Sequence, residues 1–306
     1  MKYMSVKEAS EKWKISERRI RKLCSEGRVE GAHKIGGSWS IPSDASKPFD
    51  GRYSVRKTYR GLDYDFTQID SLKKRIDDHR PLSPQLAKSL RDKLIVEWTY
   101  NSNAIEGNTL TISETKVVLE GITIGGKSLV EHLEILNHRD AILFIEKLVQ
   151  DNEPLSEWNI RNIHALVLKG IDDYNAGKYR TGNVVISGAV HIPPKHYEIK
   201  NLMELLIVEY HQSWPAYHPV VRAALLHGEL VKIHPFMDGN GRTARLLLNF
   251  ELLKNGYNPI IIQNKDRVMY YDALDQAHTT MNYGPFLNLV AELVLKSQKL
   301  WLSVLE

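Results

Sequence analysis

A chain of 306 residues, 42% of them hydrophobic and 25% charged, can bury a sizeable core and has the length of about two domains. It contains no 18-residue apolar run, its start MKYMSVKEAS lacks a signal-peptide core, and its single cysteine, Cys24, excludes an intrachain disulfide. A cytoplasmic protein with no membrane partner is the expectation. The net charge of +4 is uneven: residues 1–60 hold 15 Lys or Arg against 7 Asp or Glu, a surplus of +8, which leaves −4 for the other 246. Basicity at that end points to a nucleic-acid partner there.

Ser5-Val6-Lys7-Glu8 has the pattern of a capping box and opens a short helix through Trp13. Ser16-Glu17-Arg18-Arg19 opens a second, IRKLCSEG, which stops at Gly27. Two short helices joined by a tight turn form a helix-turn-helix pattern, with Arg18, Arg19, Arg21 and Lys22 on the second. AHKIGGSWSIP then reads as two strands around Gly36-Gly37, a wing. The stretch resembles the small winged DNA-binding domains of the excisionase and MerR type, which implies duplex DNA as a partner through those four cations. The alternative is a basic, solvated interaction module.

Residues 43–64 are rich in Ser, Gly and charge, as a linker is. A largely helical region follows. Ser83-Pro84 starts a helix that ends near Gly107, and Thr111-Ile112-Ser113-Glu114 is a second capping box. Helices are expected over roughly 113–120 and 127–150, and after Ser156. In VVISGAVHIPP, β-branched runs flank Ser187-Gly188, the pattern of a hairpin. Helices resume from Tyr197, and His218 before Pro219 marks another start.

Residues 234–245 read HPFMDGNGRTAR and lead into a leucine-rich helix that Asn255-Gly256 stops. A helix N-terminus carries unpaired N–H groups and partial positive charge, so Arg242 and Arg245 there are unfavourable unless an anion is bound. Gly239 and Gly241 free the main-chain amides for a polyphosphate. The phosphate-loop pattern GxxxxGK[ST] is absent. GNGRTA fits a dinucleotide fingerprint, but that turn must leave a strand, whereas Ala223, Leu226, Leu230 and Ile233 recur at helical intervals. A zinc site from His227 and His234 fails on distance. On one helix they stand roughly 10 Å apart, while each ligand must lie about 2 Å from the ion.

HPFMDGNGRTAR fills every fixed position of the Fic signature H-x-F-x-[DE]-G-N-G-R-x-x-R, with Ala244 at the usual glycine. GKYRTGNVVISGAVHIPP resembles that family's flap, HPVVRAALLHGELVKI its central helix, and RVMYYDALDQA the helix after its nucleotide site. The resemblance covers about residues 83–295. It implies transfer of AMP from ATP to a hydroxyl of a target protein or of the chain itself. His234 would be the base and Asp238 the Mg²⁺ ligand. Gly239, Asn240 and Gly241 would receive the α-phosphate, and Arg242 and Arg245 the β- and γ-phosphates. Tyr271 would line the adenine pocket, with an ordinary amphipathic position as its alternative. Val185, Ile186, Ser187, Gly188, Ala189 and Val190 would form the flap that aligns the target by main-chain pairing. Read alone, Asp238 could be an N-cap and Phe236 is core packing.

SNAIEG, with Ser102, Glu106 and Gly107, matches the family's inhibitory pattern [ST]-x-x-x-E-[GN] and lies before the catalytic signature. A glutamate there would occupy Arg245. The expected fold is mainly α: an all-helical Fic core with one β-hairpin flap, preceded by a small winged helix-turn-helix domain. The expected division is 1–48 for the DNA-binding unit, 49–82 for linker and helix, 83–153 for the helices with the inhibitory segment, 154–295 for the catalytic domain and 296–306 for a helix end. A homodimer is left open. The alternative function is a transcriptional regulator whose Fic core senses nucleotide.

Overall fold

Capping chemistry is local, and it sets most helix starts in this chain. The computed structural model describes residues 2–13, 15–25, 29, 31–45, 47 and 57–306, in two compact units, Met1–Lys57 and Thr58–Glu306.

In the first unit, β1 (Tyr3–Met4), α1 (Val6–Trp13), α2 (Glu17–Ser25), β2 (His33–Ile35) and β3 (Ser38–Pro42) follow in order. The Ser5–Glu8 box opens α1: the Ser5 amide donates to Glu8 (2.7 Å) and the Glu8 amide to Ser5 Oγ (3.2 Å). The antiparallel sheet runs β1-β3-β2, so a third strand, β1, joins the two read from sequence. Gly36 and Gly37 both have positive φ, which a tight turn between β2 and β3 requires. Trp13, Ile20, Leu23, Cys24 and Ile41 form a separate core. The expected stop at Gly27 with Glu26, and residues 48–56 of the expected linker, lie outside the described residues.

The second unit is helical. Its helices are α3 (Thr67–Asp78), α4 (Pro84–Ile105), α5 (Ile112–Leu119), α6 (Leu129–Gln150), α7 (Glu157–Leu168), α8 (Ile199–Gln212), α9 (Pro219–Ile233), α10 (Asn240–Lys254), α11 (Arg267–Thr280) and α12 (Gly284–Leu305). Ser83, Thr111, Ser128, Ser156 and His218 cap α4, α5, α6, α7 and α9 with their side chains. At the centre, α9 and α10 pack along each other, and α6 and α7 pack on α10. Leu246, Leu247, Leu248, Phe250 and Leu252 bury α10 on every side, so it is the axis of the core. Phe236 is fully buried, as its reading as core packing requires.

Two sequence expectations change. Residues 58–64 are not loose: Tyr59 packs edge-on against Trp214 and Tyr283, and Arg60 exchanges main-chain hydrogen bonds with Met281 and Tyr283 (2.9 Å each). A linker composition hid an aromatic anchor, Tyr59. The hairpin over 184–194 is absent as a ladder. Ser187-Gly188 does turn, with the Ala189 amide reaching the Ile186 carbonyl, but neither arm is a strand. Val185, Val190 and Ile192 are exposed, Val185 at 84%, so no continuous packed face drives pairing. The Val190 and His191 amides donate instead to Asp275 Oδ1 on α11 (3.0 and 2.9 Å).

Candidate active site

His234 ends α9 with φ +50°, a left-handed conformation uncommon for a side-chain-bearing residue. The chain then turns through Pro235–Gly239 and enters α10, whose first helical bond runs from the Thr243 amide to the Gly239 carbonyl (2.9 Å). The amides of Asn240, Gly241 and Arg242 therefore have no partner within the helix. The Asn240 side chain closes the loop by accepting the Phe236 amide and donating to the Phe236 carbonyl, 2.9 Å each. One N–H of its carboxamide is thereby used, which leaves the second side-chain N–H and the main-chain N–H.

His234 lines a cavity of about 470 Å³ together with Glu106, Gly241, Tyr271 and the flap residues Ile186, Ser187, Gly188 and Ala189. Burial pushes its imidazole down to about 4, against the smaller lift from the Val231 carbonyl and from Glu106. At neutral pH the ring is an uncharged base. Its Nδ1 is buried with no hydrogen-bond partner of good geometry. The Tyr271 ring leans on Tyr270, under the Arg267 guanidinium, at the same cavity.

The two arginines are already paired. Arg245 is 4% exposed and donates from Nη2 to Glu106 Oε1 (2.6 Å) and to the Ser102 carbonyl (2.8 Å), and from Nε to Ser102 Oγ (3.0 Å). Glu106 caps the end of α4, and Gly107 after it has φ +103°, the turn that lets the chain leave the site. A Cβ on Gly241 would collide with the Glu106 carboxylate, so that carboxylate sits against the helix N-terminus. Arg242 does not line the cavity; it binds Glu134 (2.8 Å) and Asp238 (3.0 Å). Asp238 Oδ1 accepts the Gly239 amide, while the side chain remains 69% exposed. Arg18, Arg19, Arg21 and Lys22 lie on α2 of the first unit, with Arg21 paired to Glu17 (2.6 Å).

Several residues around the loop escaped the sequence reading. Glu134 on α6 joins Arg242 to Asn108, just past the SNAIEG turn (2.8 Å to each). His164 on α7 stacks on Phe236 with ring centroids 3.6 Å apart. Its Nδ1 accepts the Gly177 amide (2.9 Å), which fixes the proton on Nε2, and that donates to the Asp238 carbonyl (2.9 Å). Arg180, before the flap, reaches the His234 carbonyl (2.8 Å). The hydrogen-bond partners of His164 and Arg180 are main-chain groups, which carry no side-chain identity, so no sequence pattern marks them.

The arrangement can seat a polyphosphate at the start of α10 beside a neutral imidazole. A Fic/DOC family model matches residues 154–252. The protein adenylyltransferase Fic of Nematostella vectensis is 41% identical over 198 residues, 63% of this chain and 45% of that protein. The protein adenylyltransferase Fic of Aedes aegypti is 36% identical over 223 residues, 70% of this chain and 43% of its own length. The chain thus spans less than half the length of these curated relatives. Among solved structures, Fic-1 of C. elegans (residues 134–508) is 30% identical with a TM-score of 0.69, covering 78% of this chain and 71% of that one. A Fic domain-containing signalling protein from Bacteroides thetaiotaomicron is 35% identical with a TM-score of 0.72, and 98% of it is covered by 78% of this chain. With the signature loop, its flanking helices and nearly the full length of that bacterial protein retraced, the chain belongs to the Fic family.

Proposed function

We infer that the chain is a protein adenylyltransferase, moving AMP from ATP to a hydroxyl of a target protein or of itself, and that Glu106 restrains it. The observation that carries this reading is the neutral His234 facing the same cavity as the free amides of α10. His234 takes the proton of the incoming hydroxyl, whose oxygen bonds to the α-phosphorus. The bond from that phosphorus to the bridging oxygen breaks, and diphosphate leaves. Amides at Asn240, Gly241 and Arg242 and the two guanidiniums bear the phosphate charge. Asp238 suits Mg²⁺, which takes one or two carboxylates plus phosphate oxygens; its exposed carboxylate would hold the ion, and the ion would neutralise phosphate charge. The relatives named as protein adenylyltransferases support the chemistry, and Tyr271 at the cavity wall supports an adenine base there.

Restraint follows from competition. Glu106 holds the Nη2 edge of Arg245 that a γ-phosphate would take, so a bound triphosphate is left out of line. Misplacement of about 1 Å can cost roughly 100-fold in rate. The test incubates full-length wild type, Glu106→Gly and Glu106→Gly/His234→Ala with α-labelled ATP and Mg²⁺, then locates labelled protein by mass spectrometry. Strong labelling by Glu106→Gly alone is expected, and equal labelling of all three would end the proposal.

The first unit supports a second role, as a winged helix-turn-helix that binds duplex DNA. Arg18, Arg21 and Lys22 are exposed on α2, which the β2–β3 hairpin follows in the chain. Phosphate contacts release counterions, so retention on a DNA filter should fall steeply with salt, and Arg18→Glu/Lys22→Glu should flatten that slope. Binding that is absent at low salt would remove DNA from the account.

A further inference from the structure

The flap has no strand ladder, which raises the question of what holds its base. The returning arm is tied at Val190 and His191 to Asp275. The base is tied by one side chain. Arg180 is 3% exposed, and all three arms of its guanidinium are spent on main-chain carbonyls. Nε donates to His234 (2.8 Å), Nη1 to Gly182 on the outgoing arm (2.7 Å), and Nη2 to Pro194 on the returning arm (2.6 Å). Its own amide donates to the Pro235 carbonyl (2.9 Å).

Burying a cation among carbonyls is costly, and a core position could have been filled with an apolar residue instead. The gain is geometric. The planar fork of arginine fixes three directions at once, which an ammonium on a flexible stem does not. Here the three directions join both ends of a segment that lacks a ladder to His234, whose left-handed backbone turns the chain at the end of α9. The His234 carbonyl points out of the end of α9, past the last helical partner, and Arg180 supplies its donor.

We propose that Arg180 is a positioning residue: it locks the base of the flap to the His234 backbone, so a hydroxyl presented along the flap arrives in line with the imidazole. The proposal rests on the transferase reading given above. It assigns Arg180 to acceptance of the protein hydroxyl and not to ATP binding, since none of its arms faces the α10 amides.

The variants Arg180→Ala and Arg180→Lys are made in full-length Glu106→Gly, whose own transfer activity is the reference. If the reference shows no transfer while binding ATP, the transferase reading fails and Arg180 is not implicated. With an active reference, Arg180→Lys should lower transfer at saturating ATP by tenfold or more, with ATP affinity changed less than threefold. Hydrogen exchange at 183–194 should quicken at least tenfold while the core of α10 stays protected. Free guanidinium ion should restore part of the activity of Arg180→Ala and none to Arg180→Lys. Should Arg180→Ala aggregate, Arg180→Lys decides. Transfer by Arg180→Lys within twofold of the reference, or ATP affinity falling in step with transfer, overturns the proposal. So does unchanged exchange across the flap.

Discussion

His234 stands where α9 gives out, in a left-handed turn that aims its ring into the cavity while its carbonyl is held from behind by Arg180. Burial keeps the imidazole neutral down to about pH 4, far below its ordinary range. Two results follow. With His234 as the proposed base, His234→Ala should lower transfer by about 10²–10⁴-fold while ATP binding is retained, because the ring would serve the hydroxyl and not the phosphates. In the Glu106→Gly background, kcat/KM should hold level from pH 8 to 5 and fall only as the pH drops towards about 4 or lower, since losing Glu106 removes one influence that lifts the imidazole. A break near 6.5 in that profile would place the base in another side chain.

At the scale of elements, legibility depended on how local the deciding interaction is. The starts of α4, α5 and α7 were readable because Ser83, Thr111 and Ser156 bond amides three residues on. The same holds for the Gly256 stop, which has φ +78°. The signature loop was readable because its residues are consecutive. The flap was misread because β-branched runs say that a segment is extended, and not what its amides will pair with. Their partner, Asp275, lies 85 positions from Val190. Glu134 was missed for the same reason, since it stands 108 positions from the Arg242 it neutralises. The strand β1 is two residues long, too short to carry a pattern.

In the second unit, His138, His164, His227 and His278 are buried as neutral rings. Burial, with the Arg245 and Arg242 cations near it, puts His138 at about 3; burial puts His164 and His278 at about 4, and drives His227 well below its usual range. The unfolded chain takes up these protons near 6.5 and the folded one does not until the pH is far lower. Folding stability from these rings is therefore complete above pH 6.5 and lost as the pH falls through about 4. Melting temperature should be level between pH 8 and 7 and decline steadily below 6.5. A melting temperature unchanged down to pH 5 would mean these rings charge without opening the fold.

The pair between Arg245 and Glu106 has a meaning apart from restraint. A guanidinium with 4% of its surface exposed cannot stand without an anion, because an uncompensated buried charge is strongly destabilising. Glu106 is thus the counterion that the resting molecule carries for itself. In the proposed transferase, release of that carboxylate would not be a free switch that precedes nucleotide. It would be an exchange, in which one negative group leaves the arginine as another arrives, and the phosphate that takes its place would supply the neutralisation the core requires. On this account the molecule does not pass through a bare, open state. Activity would rise with triphosphate as a competition for one cation, and anything that draws α4 away from α10 would act by tilting that competition.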